Sequence, residues 1–213
     1  MDKNVDAIHL KFRDGSTFVT SRDALCCLEH TWFKRAFCGR YDEQLAPRDG
    51  AHFVVEGSTD SAVAVRVVAE FLAAQHDQQH VHAAPAVLQS ALATAALVDG
   101  EDVWNLLREA LHFGVRVLAD AAAWRVCEVN AGHRAPIAPA FKLGADEVAA
   151  MMDLLKLLLV EASPHDKQQQ QTQQQLSIGT VAMLCGFLKA AVAAECDALV
   201  SALQVISCLS SIF

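Results

Sequence analysis

Two short apolar alternations flank Arg13-Asp14-Gly15-Ser16, and that pairing constrains the fold more than any other stretch of the chain. Ala7-Ile8-His9-Leu10-Lys11-Phe12 places Ile8, Leu10 and Phe12 on one side with period two, as a half-buried strand does. Thr17-Phe18-Val19-Thr20 supplies the return strand. Asp-Gly between two such runs is the strongest short hairpin signal. An all-helical chain is therefore excluded, although 37 Ala and 24 Leu among 213 residues lean that way. The expected class is α+β.

Helices follow the hairpin. Ser21 caps a short helix through Ala24-Leu25, and Thr31 caps another from Trp32 to Phe37 that stops at Gly39. A polar turn from Tyr41 to Gly50 leads into a third strand, His52-Phe53-Val54-Val55. Asp60 or Ser61 opens a long helix to Ala74, with Val63, Val67, Phe71 and Ala74 as its expected buried stripe. Residues 75–84 read as a polar break, and Pro85 starts a short helix to Ala96. Helices over Val103–His112 and Val115 to about Glu128 meet at Phe113-Gly114. Gly132, Pro136 and Pro139 mark residues 131–140 as a linker. An all-α extension, 141–213, begins at Gly144-Ala145-Asp146-Glu147; Leu154 and Leu157 widen its first apolar face nearly all round. The Gln-rich run at 166–176 reads as a mobile loop.

Charge and cysteine usage narrow the function. Seventeen basic against 25 acidic residues give −8, and no basic cluster exceeds Lys34-Arg35, which disfavours a nucleic-acid partner. Seven cysteines without a C-x-x-C lie in apolar runs and read as free, buried thiols. With no secretory signal visible near Met1, the expected location is cytoplasmic or nuclear. Ala198–Phe213 is uncharged but only 16 residues long and carries several Ser, short of the roughly 20 apolar residues of a span. A membrane partner is not expected.

The order of elements over residues 5–130 resembles the BTB/POZ domain. Phe18-Val19-Thr20-Ser21-Arg22-Asp23-Ala24-Leu25 is similar to the F-x-T-x-R-x-x-L opening of the potassium-channel tetramerisation-type branch. Gly50-Ala51-His52-Phe53-Val54 resembles that branch's next strand, with Val55-Glu56 where it writes Asp-Arg. Leu106-Leu107-Arg108-Glu109-Ala110-Leu111-His112-Phe113-Gly114-Val115 looks like its L-L-x-E-A-x-x-[FY]-G-[IV] helix pair. Residues 75–98 then stand as an insertion, and Arg13-Asp14-Gly15 replaces the usual glycine pair. The resemblance implies a small sheet with a helical cluster, self-association and, in many relatives, recruitment to a cullin scaffold of a ubiquitin ligase. The surface so used maps by position onto Phe37, Arg40, Tyr41, Asp42 and Glu43, and onto Gln75, His76 and Asp77. Phe37 and Tyr41 would be apolar anchors, and Arg40, Asp42 and Glu43 would set orientation.

Read for chemistry, the chain offers little. No P-loop, G-x-G-x-x-G, G-x-S-x-G or H-E-x-x-H occurs. His76, His80 and His82 are a weak metal candidate, short of the four ligands of a closed zinc site and remote from any Cys. Cys26 and Cys27 face different directions and read as one core thiol and one bystander. Asp42-Glu43, Glu101-Asp102 and Asp146-Glu147 fit helix starts and turns better than acid–base pairs. Neither a cofactor nor a catalytic residue is expected. The leading reading is a non-enzymatic protein-interaction module; an oligomerisation scaffold without a cullin partner, and a helical enzyme lacking any known motif, stay open.

Overall fold

The computed structural model describes residues 7–38, 48–78, 100–162 and 178–210. The chain divides into two compact units, Met1–Ala119 and Asp120–Phe213. The first holds β1 (Ala7–Lys11), β2 (Thr17–Ser21), α1 (Arg22–Leu25), α2 (Trp32–Phe37), β3 (Arg48–Asp49), β4 (His52–Val54), α3 (Ala62–Gln78) and α4 (Gly100–His112). α5 (Arg116–Gly132) carries the division within it, upstream of the linker expected at 131–140, and α6 (Ala145–Ala162), α7 (Ile178–Ala193) and α8 (Asp197–Ser210) complete the second unit. The class is mixed α and β, a four-stranded sheet with eight helices among the described residues.

The sheet order is β2-β1-β4-β3. β1 and β2 pair antiparallel with Leu10 opposite Phe18, whereas β1 and β4 run parallel with Leu10 beside Phe53. The hairpin closes through Gly15 at φ 82°, a left-handed conformation open to glycine at no steric cost. Asp14 Oδ1 accepts from the Ser16 amide at 2.9 Å and the Ser16 hydroxyl at 2.6 Å, and these bonds hold its carboxyl below the usual range. β3 was not expected: the segment before Gly50 contributes two exposed residues paired to β4 across a turn with Gly50 at φ 61°.

Both expected caps form. Ser21 Oγ accepts from Ala24 N and Thr31 Oγ1 from Lys34 N, each at 3.1 Å. Ile8, Leu10 and Phe12 lie under the sheet with Leu25, Phe33, Phe37 and Phe53. α3 packs against α1 and α4. Its buried positions are Ala64, Val65, Val67, Val68, Ala69, Phe71 and Leu72, a face two helices wide, while Val63 is 44% exposed and drops out of the expected stripe. α3 also runs through Gln78, so the polar break does not begin at residue 75; Gln and Ala are good helix formers whether or not they are buried.

In the second unit Met151, Leu155, Leu158, Phe187 and Leu199 are fully buried. Leu157 is half exposed, so α6 is not apolar all round as the run of leucines suggests. Gly186 on α7 meets α5 so closely that a β-carbon there would overlap the Cys127 carbonyl oxygen. Asn130, 1% exposed, donates to Val126 O at 2.9 Å and accepts from Ile137 N at 2.8 Å, tying the stretch after α5 back to the helix. No described helix is long and apolar enough to cross a membrane. The expected helix at 85–96 and the Gln-rich loop lie outside the described residues.

Candidate functional site

A recess in the first unit lies where β4 hands the chain to α3. It has a volume of about 340 Å³ and is walled by Val54, Val55, Ala62 and Val65, with Arg13, Glu56, Gly57 and Thr59 completing the lining. Arg13 comes from the hairpin, and its guanidinium pairs with the exposed Asp60 carboxylate. The pair joins the hairpin turn to the residues just before α3.

Behind the recess stands Glu109 of α4, fully buried. Its carboxylate accepts the Ser58 amide at 3.0 Å, the Ser58 hydroxyl at 3.2 Å and the Thr59 amide. These are charge-assisted bonds, about twice as strong as neutral ones. They hold the 57–59 loop, and a β-carbon at Gly57 would fall 2.6 Å from Glu109 Oε2. Any larger residue at 57 would have to displace the Glu109 carboxylate and the Val65 side chain, so glycine is favoured there by close approach and not by φ. The lining contains no Cys, His or Lys, and its one hydroxyl is that of Thr59. The lining sets apolar walls beside one guanidinium and one carboxylate.

The α1–α2 corner is the second feature. Trp32 packs edge-on to Phe33, Phe37 and Phe113 with centroids 5.1, 6.2 and 5.6 Å away. Its amide donates to Phe113 O at 2.8 Å, locking α2 to the end of α4. Gly114, at φ 75°, lets the backbone of His30 approach: a β-carbon there would lie 3.0 Å from His30 O. The Phe-Gly-Val signature of the sequence is thus a packing device.

The expected partner surface is changed by this geometry. Phe37 is 2% exposed and its ring meets Phe53 at 5.0 Å, so it is a core residue and not an anchor offered to a partner. Gln75 and His76 are half-buried on α3, which also carries Asp77. Arg40, Tyr41, Asp42 and Glu43 lie outside the described residues, as do His80 and His82 of the metal candidate. Among the described residues no group of three His, Cys, Asp or Glu could hold a metal.

Cysteine burial also departs from expectation. Cys127 is buried, and burial pushes its thiol up to about 12. Cys185 is exposed, and Cys26 is bonded to Cys38, so the vicinal pair is not one core thiol and a bystander.

On the solvent side of the sheet, His9 and His52 meet edge-to-face at 5.7 Å beside Val19, which is 53% exposed. Lys11 pairs with Asp49 and holds that carboxyl below its ordinary value, while the Arg48 guanidinium sits 4.3 Å from the Phe53 ring centroid. Compared with known proteins, the chain matches no family model, no curated protein and no solved structure.

Proposed function

We propose that residues 5–130 form a protein-interaction module of the BTB/POZ type that self-associates and serves as a substrate adaptor for a cullin-based ubiquitin ligase, with residues 141–213 as a helical extension. The observation that carries this reading is the connectivity of the sheet. Hairpin strand β1 pairs in parallel with β4, and α1 and α2 lie between them in the chain. α3 then packs on α4, whose end carries Phe113-Gly114-Val115. That is the order in which the sequence resembles the potassium-channel tetramerisation-type branch. The recess beside Arg13, with apolar walls and charged rim, adds a binding feature without a nucleophile–base pair in its lining. Cytoplasmic or nuclear location goes with this reading, as cullin scaffolds act there.

A pull-down with a purified cullin N-terminal domain tests it. The full chain is expected to retain the cullin domain, and Arg13→Glu with Trp32→Ala should report whether the recess or the α1–α2 corner is used. An oligomer that retains no cullin would favour the scaffold reading. A monomer that retains none would overturn the module reading altogether.

A further inference from the structure

The functional reading leaves one chemical feature of the first unit unused. Cys26 and Cys38 are bonded, with their Cα atoms 6.3 Å apart, inside the usual range for a bridge. Each is the C-terminal cap of its helix, Cys26 of α1 and Cys38 of α2. Cys38 is exposed and Cys26 half-buried.

The same two helix ends are also held without sulfur. Arg22 donates from Nη1 to the Phe37 carbonyl at 2.6 Å, joining the first residue of α1 to the last of α2. Leu25 and Phe37, each one residue before its cysteine, are both buried. A reduced chain therefore keeps the two thiols as neighbours, and re-closure is an intramolecular reaction at high effective concentration. Cys27 does not compete. Its Sγ lies 3.5 Å from the Leu72 carbonyl, and burial raises its pKa, which lowers the thiolate fraction that exchange needs.

We propose that Cys26 and Cys38 form a reversible thiol–disulfide site, opened and closed by low-molecular-weight thiols and disulfides of the glutathione class, and that the bridge sets how firmly the α1–α2 corner is held. In opening, a glutathione thiolate attacks the exposed Sγ of Cys38. The Cys26–Cys38 bond breaks, a mixed disulfide forms on Cys38, and Cys26 leaves as a thiolate that takes a proton from water. A second glutathione thiolate attacks the glutathione sulfur of the mixed disulfide, releasing oxidised glutathione and the Cys38 thiolate, which is protonated in turn. Two electrons pass from two glutathiones to the bridge, and closing is the reverse. The closed loop spans a sequence separation of 12 and contains His30, held at φ 65°, and the Thr31 cap. Closing it restricts the unfolded chain and stabilises the corner.

The test equilibrates the full chain across a series of reduced-to-oxidised glutathione ratios, quenches with acid, alkylates, and maps tryptic peptides by mass spectrometry. Cleavage after Lys34 and Arg35 separates the two cysteines, so the bridge reads as a cross-linked pair. The expected result is a Cys26–Cys38 pair at oxidising ratios that converts to two alkylated cysteines along the series and persists in Cys27→Ser. The oxidised chain should melt roughly 5–10 °C above the reduced one, and Cys26→Ser or Cys38→Ser should melt with the reduced chain under both conditions. Free thiols at every ratio, a bridge that never opens, a bridge to Cys27 or to another chain, or equal melting temperatures in wild type would each overturn the proposal.

Discussion

In the sheet-bearing unit, the Glu109 carboxylate holds Ser58 and Thr59, Thr31 caps α2, and Ser21 caps α1. In the helical unit, α7 meets α5 through the bare Cα of Gly186 against the Cys127 carbonyl, and the buried polar ties among the described residues are Asn130 and Glu147, the latter accepting from Gly144 N. The difference follows from what each must connect. Short strands and four- to six-residue helices leave many backbone donors without partners, and side chains must supply them. Long helices satisfy their own backbones, so what remains is how closely their axes approach.

This contrast can be broken by substitution. The largest effect is expected for Glu109→Ala, which removes the buried common acceptor of two part-buried amides and a hydroxyl and should cost the first unit about 3 kcal/mol. Glu109→Gln, which keeps the volume and one acceptor oxygen, should cost about half as much. Denaturant titration measures both. No loss in Glu109→Gln beside a loss in Glu109→Ala would mean that Glu109 acts by packing alone, and the two units would then be held alike. Next comes Gly186→Ala. Alanine gains about 1 kcal/mol in helix propensity, yet the overlap with Cys127 O forces α5 and α7 apart, at a cost of about 1–3 kcal/mol. A net destabilisation, read by hydrogen exchange confined to α5 and α7, supports close approach as the binding device; a net gain would refute it. Thr31→Ala should cost about 1 kcal/mol, in the first unit only.

The smallest expected effects are those of pH. Asp49 and Glu29 are held below their ordinary pKa by hydrogen bonds from Lys11 and Lys34, and Asp14 by those from Ser16. A depressed folded-state pKa gives stability that is present above the unfolded value and lost as pH falls through the folded one. The first unit should therefore soften in acid, slightly, because all three carboxylates are exposed. Cys127 has the opposite sign: its thiol is pushed from 9.0 to about 12 by burial, so the second unit loses stability as pH rises through that window. Cys27, also raised by burial, gives the first unit the same alkaline sign, so the acid limb discriminates between the two. Hydrogen exchange at pH 4 against pH 7 checks it, with the larger change expected around β1, β3 and α2.

Much of the first unit is legible in the sequence because its signals are local. Asp14-Gly15 between alternations, Ser21 and Thr31 each act within a few residues of where they stand, and Phe113-Gly114 ends α4 locally although it packs on the remote His30 and Trp32. β3 is not legible, since two exposed residues carry no alternation and pair only because the Gly50 turn folds them back. The stripe on α3 misleads at Val63 because the helix is covered from two sides. Glu109 looks like a surface acid on an amphipathic helix. Its signal is positional: it shares the spacing of Leu106 and Phe113, both buried, so a charge stands on the core stripe where only a satisfied carboxylate is tolerated. Phe37 shows the converse, an aromatic expected as an anchor of the partner surface that the chain's own core claims. The Cys26–Cys38 pair depends on where two helix ends meet, which spacing alone does not encode.

Self-association is the claim on which the interaction-module reading depends most, and light scattering on the full chain after size exclusion measures it directly. The expected mass is an integer multiple, two or greater, of the 23.0 kDa chain, holding across micromolar concentrations. A mass of one chain at every concentration would contradict it.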